Sequence, residues 1–220
     1  MDQRTRWKGI VFDFDGTLLD SVHEGMKRFI RIADGLGLPT TEMIRAKIRC
    51  LWGVPAKAMI ESCWPETCAK TFVDAWEEFD CVNQIALFPG VEEMISSLST
   101  QALLSILTMR HHSTHAQLRS HGMADKFHFI YTLDDCPASK PDPRSIERLL
   151  ADYRHHGVEM SDLLLIGDSV HADYGLALAT GMDFIAVTWG NNSREDFLAA
   201  GLQEDWIIDT LEHLPRILIP

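Results

Sequence analysis

The sequence predicts an α/β protein, a doubly wound parallel sheet interrupted by a separate helical unit, and three observations carry that expectation. Short apolar or β-branched runs lie at residues 9–12, 103–107, 129–133, 163–166 and 184–188, each bounded by turn residues, as buried parallel strands are. Stretches with helical spacing stand between and after them, at 91–98, 113–121, 143–150, 173–180 and 193–200. Strands that alternate with helices build an open sheet covered on both faces. Residues 21–87, in contrast, hold no comparable strand run and are rich in helix-compatible segments, at 22–36, 41–50, 56–63 and 69–80.

Each element has a local reason. The first run, Gly9-Ile10-Val11-Phe12, ends on an acidic pair and a glycine, which stop a buried strand. Within the helical unit the breaks fall at Gly35-Leu36-Gly37-Leu38-Pro39, Gly53-Val54-Pro55 and Trp64-Pro65, because glycine and proline end helices. Pro89-Gly90 marks the return to the sheet, and Pro143 is placed to start a helix after the third strand. The expected organisation is a sheet-bearing core of residues 1–20 and 88–220, with 21–87 inserted after the first strand.

Composition narrows the function classes. The 220 residues carry a formal charge of -12, so the chain has no general positive field for tracking a nucleic-acid backbone. An anionic substrate would need a local positive charge, usually a metal. The cysteines at 50, 63, 68, 81 and 136 are odd in number, form no Cys-x-x-Cys pair and come without a secretory signal, which suits reduced thiols in a cytoplasmic protein. Apolar runs fall far short of the roughly 20 residues of a membrane-spanning helix, so a soluble protein is expected.

The chemistry is concentrated at strand ends, where open α/β sheets bind their ligands. Asp13 follows the first strand, Thr108 the second and Asp168 the fourth, while Lys140 sits in Ser139-Lys140-Pro141-Asp142-Pro143 just past the third. Two or three carboxylates tolerate one another mainly when a divalent cation lies between them, and magnesium prefers such oxygen ligands. With a lysine and a threonine hydroxyl beside it, that ion neutralises a phosphoryl group while a carboxylate attacks in line. Asp13 and Asp15 are two residues apart, so strand alternation sends both to one side and Phe12 and Phe14 to the other. One can attack while the other handles protons. Gly16 permits a tight turn with close approach of backbone amides to the phosphate, and Thr17 can tie that turn down.

Asp13-Phe14-Asp15-Gly16-Thr17, a strand ending in Thr108, Lys140-Pro141-Asp142-Pro143, and Gly167-Asp168-Ser169 followed by Asp173 resemble, in order, the motifs of the haloacid dehalogenase superfamily. Within it the chain looks most like the phosphoglycolate phosphatase group. The resemblance implies a Rossmann-like core with an inserted α-helical cap, and Mg2+ as cofactor. It implies that Asp13 is nucleophile and metal ligand, and that Asp15 is general acid and base with its backbone carbonyl on the metal. Gly16, Thr108, Met109 and Lys140 would hold the phosphate, Asp168 would complete the metal site, and Thr17 and Asp173 would support it. The implied substrate is a small-molecule phosphate monoester, phosphoglycolate first and sugar phosphates behind it, handled by a monomer or homodimer.

Departures and rivals accompany that resemblance. Asp168 and Asp173 stand one residue further apart than in many members, and Met109-Arg110 replaces a frequent Asn-Lys pair. Asp173 also reads as the N-cap of the following helix. His111, His112 and His115 share a helix face, as zinc ligands or as surface histidines. Trp52, Trp64 and Trp76 read as cap packing, while Arg49 and Trp52, before Gly53, sit in a loop that would face substrate. A sugar-phosphate mutase of the same superfamily uses the same two aspartates. A hydrolytic dehalogenase has no use for Asp15, and a phospho-accepting signalling domain is shorter and has no helical insertion.

Overall fold

The computed structural model of the chain describes residues 5–51 and 56–218. Six parallel strands, β1 (Gly9–Phe12), β2 (Leu103–Leu107), β3 (Phe129–Tyr131), β4 (Leu163–Gly167), β5 (Asp183–Val187) and β6 (Ile207–Ile208), form one sheet in the order β3-β2-β1-β4-β5-β6. Helices α1 (Ser21–Gly35), α2 (Glu42–Leu51), α3 (Ala56–Cys63) and α4 (Ala69–Val82) all fall between β1 and β2. Helix α5 (Val91–Leu98) leads into β2, and α6 (Ser113–Ser120), α7 (Glu147–His155), α8 (Gly175–Thr180), α9 (Arg194–Ala199) and α10 (Leu214–Leu218) follow it.

Side chains alternate across a strand, and here both faces are apolar because helices cover both. Ile10, Phe12, Leu104, Ile106, Leu164 and Ile166 pack to one side with Val91 and Ile95 of α5. Val11, Leu107, Leu163 and Leu165 pack to the other with Leu149 and Tyr153 of α7 and Leu176 of α8. The inserted helices are an α-helical cap with a core of their own. Phe29, Trp64 and Phe72 pack as a triangle of rings, with Phe29 5.7 Å from Trp64 and 4.5 Å from Phe72, and Trp64 5.6 Å from Phe72, centroid to centroid. Trp64 and Trp76 are thus packing residues of the cap.

Where the structure departs from the sequence reading, side-chain hydrogen bonds explain most of it. Strand β3 stops at Tyr131 instead of 133 because the Asp135 carboxylate accepts from the Thr132 N–H and hydroxyl, at 2.9 Å and 2.8 Å, and turns the chain. The helix expected at 143–150 begins with a tight turn at Pro143–Ile146, capped by Asp142, and runs on to His155. The helix expected from Asp173 is preceded by a wide π-type turn, Val170–Tyr174, whose cap is the Ser169 hydroxyl accepting from the Ala172 N–H. Asp173 is therefore not the N-cap. Strand β6, two residues long, is too short for periodicity to show.

The cap meets the core along α4 and α6. Glu77 accepts from the Ser113 N–H at 2.9 Å, and Gln117 donates to the carbonyls of Asp80 and Asn83 while accepting from the Ile85 N–H. These bonds fix the lid over the strand ends. Among the described residues no helix is long and apolar enough to cross a membrane.

Candidate active site

In a sheet of this order the connections reverse direction between β1 and β4, and the crevice beyond their carboxyl ends is the place where ligands bind. Asp13 leaves β1 with its N–H donated to the Ile166 carbonyl at 2.9 Å, and Asp168 leaves β4 beside it. Thr108 leaves β2 with its N–H donated to Tyr131 O at 3.0 Å. A cavity of about 400 Å³ beneath the cap is lined by Asp13, Asp15, Thr108, Met109, Lys140, Asp168 and Asp173. The sequence series thus converges on one place.

Its floor is a buried charge cluster. The Lys140 ammonium donates to Asp13 Oδ1 at 2.6 Å, Asp173 Oδ1 at 2.6 Å and Leu107 O at 3.0 Å. Asp13, Asp168 and Asp173 each bring a carboxylate oxygen to within 4.8 Å of the others. One ammonium does not balance three carboxylates. Burial, opposed by Lys140 and reinforced by Asp173 and Asp15, pushes Asp13 up to about 7. Burial, with Asp13 and Asp173 beside it, holds Asp168 well above the usual carboxylate range. Buried oxygen ligands with unbalanced negative charge fit a divalent, hard cation such as magnesium.

The carboxylate of Asp15 points elsewhere. Arg110 grips it through two hydrogen bonds, Nε to Oδ2 at 2.9 Å and Nη2 to Oδ1 at 2.6 Å. Burial alone would raise Asp15, and the Arg110 guanidinium more than offsets it, holding the carboxyl below its ordinary value. Arg110 also donates from Nη1 to Asp80 Oδ2 at 2.5 Å and to Ser113 Oγ at 3.2 Å. Asp80, fully buried in α4, further receives Arg28 Nη1 at 2.9 Å and Trp76 Nε1 at 2.8 Å. An ion-pair ladder thus runs from Asp15 of the core into the cap. Sequence reading missed Arg110, Asp80 and Arg28. The only signal was the departure at Met109-Arg110, a cation placed two residues beyond a strand-end threonine.

Two glycines and a threonine shape the floor. The Gly16 N–H goes to Leu19 O and Ser21 Oγ, so the expected phosphate contact through that amide gives way to a structural role. The residue turns with φ +75°, and a Cβ there would overlap Asp168 Oδ2. Thr17 donates to Asp13 Oδ2 at 3.3 Å, steadying the carboxylate more than the turn. Gly190, unread in the sequence, lets the loop after β5 close on the site, and the Asn191 N–H reaches Asp168 Oδ2 at 2.6 Å. A Cβ on Gly190 would overlap Asp168 Oδ2 and Gly16 O. Gly190→Ala is therefore expected to displace Asp168 and weaken divalent-cation affinity about 10- to 100-fold, read by titrating the variant with magnesium. Unchanged affinity would contradict the close approach.

The remaining site expectations fall unevenly. The Thr108 hydroxyl accepts from the Arg110 N–H at 3.1 Å, and the residue lines the cavity. Trp52 lies outside the described residues, as does the side chain of Arg49, whose backbone lies within α2. His111 lines the cavity with Nδ1 2.6 Å from Asp134 Oδ1, and His112 Nδ1 lies 3.8 Å from Glu77 Oε2.

Sheet order, cavity and charge define an α/β enzyme whose site suits an oxygen-rich anion beside a divalent cation. A family model described as haloacid dehalogenase-like hydrolase matches residues 10–187, and the chain belongs to that family. It is similar to a phosphoglycolate phosphatase of Synechococcus elongatus, 27% identical over an alignment of 207 residues that covers 92% of this chain and 93% of that one. An N-acetylmuramic acid 6-phosphate phosphatase of Pseudomonas aeruginosa is 26% identical, covering 99% and 95%. The fold also matches a magnesium-bound HAD-hydrolase of Bacillus subtilis, with TM-score 0.75 and 21% identity over 97% of this chain and 99% of that one. The protein is a phosphatase of the haloacid dehalogenase-like family.

Proposed function

We propose that the chain is a magnesium-dependent phosphatase that hydrolyses a small-molecule phosphate monoester through an aspartyl phosphate on Asp13. One observation carries the reading. Asp13 is a buried carboxylate at the end of β1, steadied by Lys140 and Thr17 at the bottom of a lidded cavity, with a second carboxylate, Asp15, two residues on. Residues 21–87 act as the cap and residues 1–20 and 88–220 as the catalytic core.

Asp13, Asp168 and the Asp15 carbonyl would hold magnesium, with Asp173 supporting them. When bound, that ion supplies positive charge to phosphoryl oxygens and balances the carboxylates. An Asp13 oxygen attacks phosphorus as the ester P–O bond breaks, and Asp15, which takes up a proton once one of its two bonds to Arg110 has opened, gives that proton to the departing oxygen. Lys140, the Thr108 hydroxyl and the Met109 region hold the phosphoryl group meanwhile. Asp15 then takes a proton from water, whose oxygen attacks the phosphorus and releases phosphate with Asp13 restored. The cap keeps other water out while Asp13 is phosphorylated.

The magnesium-bound relative and the phosphatase names of the other relatives support this reading. Phosphoglycolate and sugar phosphates are the first esters to try. Phosphate release from p-nitrophenyl phosphate should appear with magnesium, vanish with excess chelator and return when magnesium is restored. Turnover that survives the chelator would overturn the metal-dependent reading.

A further inference from the structure

The substrate is the open part of that function, and the upper half of the cavity speaks to it. Its walls are largely apolar: Val22, Met59, Val73, Trp76, Ile85 and Leu133 line it. The Trp76 N–H is donated to Asp80, so the indole offers its ring to the cavity. A space of about 400 Å³ holds a phosphoryl group and leaves room for a leaving group larger than two carbons.

Charge in the same space is already matched. Arg110 is held between Asp15 and Asp80, and Arg28 between Asp80 and the carbonyls of Asn83 and Gln84. Lys140 sits between Asp13 and Asp173. Lys57, at the rim, is mostly exposed and faces Glu61 at 3.9 Å. Among the described residues, then, every Lys or Arg that lines the cavity faces a carboxylate. The lining carries the carboxylates of Asp13, Asp15, Glu77, Asp80, Asp168 and Asp173 against four such cations. One divalent cation balances that excess, and the phosphate dianion then brings its own charge. A further anion on the leaving group would enter against net negative charge, beside apolar walls and, among the described residues, without a counter-ion.

Resting on the phosphatase reading above, we propose that the preferred substrates are phosphate monoesters of neutral alcohols with an apolar face, and that esters carrying a second anionic group, phosphoglycolate included, are disfavoured. A neutral group covers the apolar wall and leaves the ion-pair ladder intact. A carboxylate would have to draw Arg110 or Arg28 away from Asp15 or Asp80.

The test compares kcat/KM for 2-phenylethyl phosphate and phosphoglycolate, both esters of primary alcohols, in the full-length protein with magnesium. We expect a preference of about 100-fold for the neutral ester, since a pocket without a partner for a buried charge rejects it strongly, and we expect KM to carry most of it. A preference below tenfold, or one for phosphoglycolate, overturns the inference and leaves the phosphatase reading standing. In Val73→Lys, which adds a cation to the wall, the ratio should move at least tenfold toward phosphoglycolate. A folded variant, checked by circular dichroism, with an unmoved ratio overturns the inference. If neither ester nor p-nitrophenyl phosphate releases phosphate in a manner that depends on Asp13, the underlying function fails, and the inference with it.

Discussion

Asp13→Asn is expected to remove turnover, by about 10⁴-fold or more, while leaving the metal-free protein at least as stable as the parent. The first half follows because a neutral amide cannot serve as the nucleophile, and a group that carries the covalent step has no substitute. The second half follows from linkage. Asp13 is raised to about 7 from an ordinary carboxylate value, through burial first and then Asp173 and Asp15 against the pull of Lys140. A raised carboxyl contributes stability that is complete below its unfolded pKa and lost as pH climbs through its folded one. The chelated parent should therefore lose stability between roughly pH 4 and 7, and the Asn variant, nearly identical in shape, should lose less. Phosphate release at saturating magnesium and thermal melts in chelator at pH 5 and pH 8 measure the two halves. Residual activity within tenfold of the parent would show that another group attacks the phosphorus.

That expectation could be written from the sequence because Asp13 lies at a strand end, and strand ends are legible. Buried parallel strands are short apolar runs, so β1, β2 and β4 announce themselves, and the polar residue that follows each is a ligand candidate. Asp13, Thr108 and Asp168 were found in this way, with Asp15 and Lys140 beside them. What was not legible depends on packing between distant segments. Arg110 is 95 residues from Asp15 and 30 from Asp80, and nothing local in the sequence says that one guanidinium bridges them. Gly190 matters only because its loop meets Asp168 and Gly16. The cap helices were visible as a strand-free stretch, whereas the seating of α4 on α6 through Glu77, Asp80 and Gln117 was not. Gly16 was recognised as a turn residue, but the acceptors that take up its N–H, Leu19 O and Ser21 Oγ, belong to the folded chain.

Lys140→Met tests the charge balance of the floor itself. The methionine fills a similar volume but leaves Asp13, Asp168 and Asp173 buried within 4.8 Å of one another with no ammonium among them. Removing one partner from a buried ionic cluster costs about 3–5 kcal/mol, which in a chain of this size lowers Tm by roughly 10 °C. Catalysis should fall further, by about 10³-fold, because among the described residues Lys140 is the one cation that touches the Asp13 carboxylate. The pH dependence separates this account from simple loss of packing. Asp13 and Asp173 raise the Lys140 pKa above its ordinary value against the opposing effect of burial, so its contribution is complete below that value and constant between pH 5 and 8. Any pH dependence in that window comes from the carboxylates. Without Lys140, Asp13 and Asp168 rise further, take up protons at pH 5 and so escape part of the cost, whereas at pH 8 they meet it in full. The Tm deficit in chelator should thus be larger at pH 8 than at pH 5, and magnesium should recover more of it in the variant than in the parent. An equal deficit at both pH values, untouched by magnesium, would mean that Lys140 serves as a packed side chain and that the floor holds no unbalanced charge for a cation to neutralise.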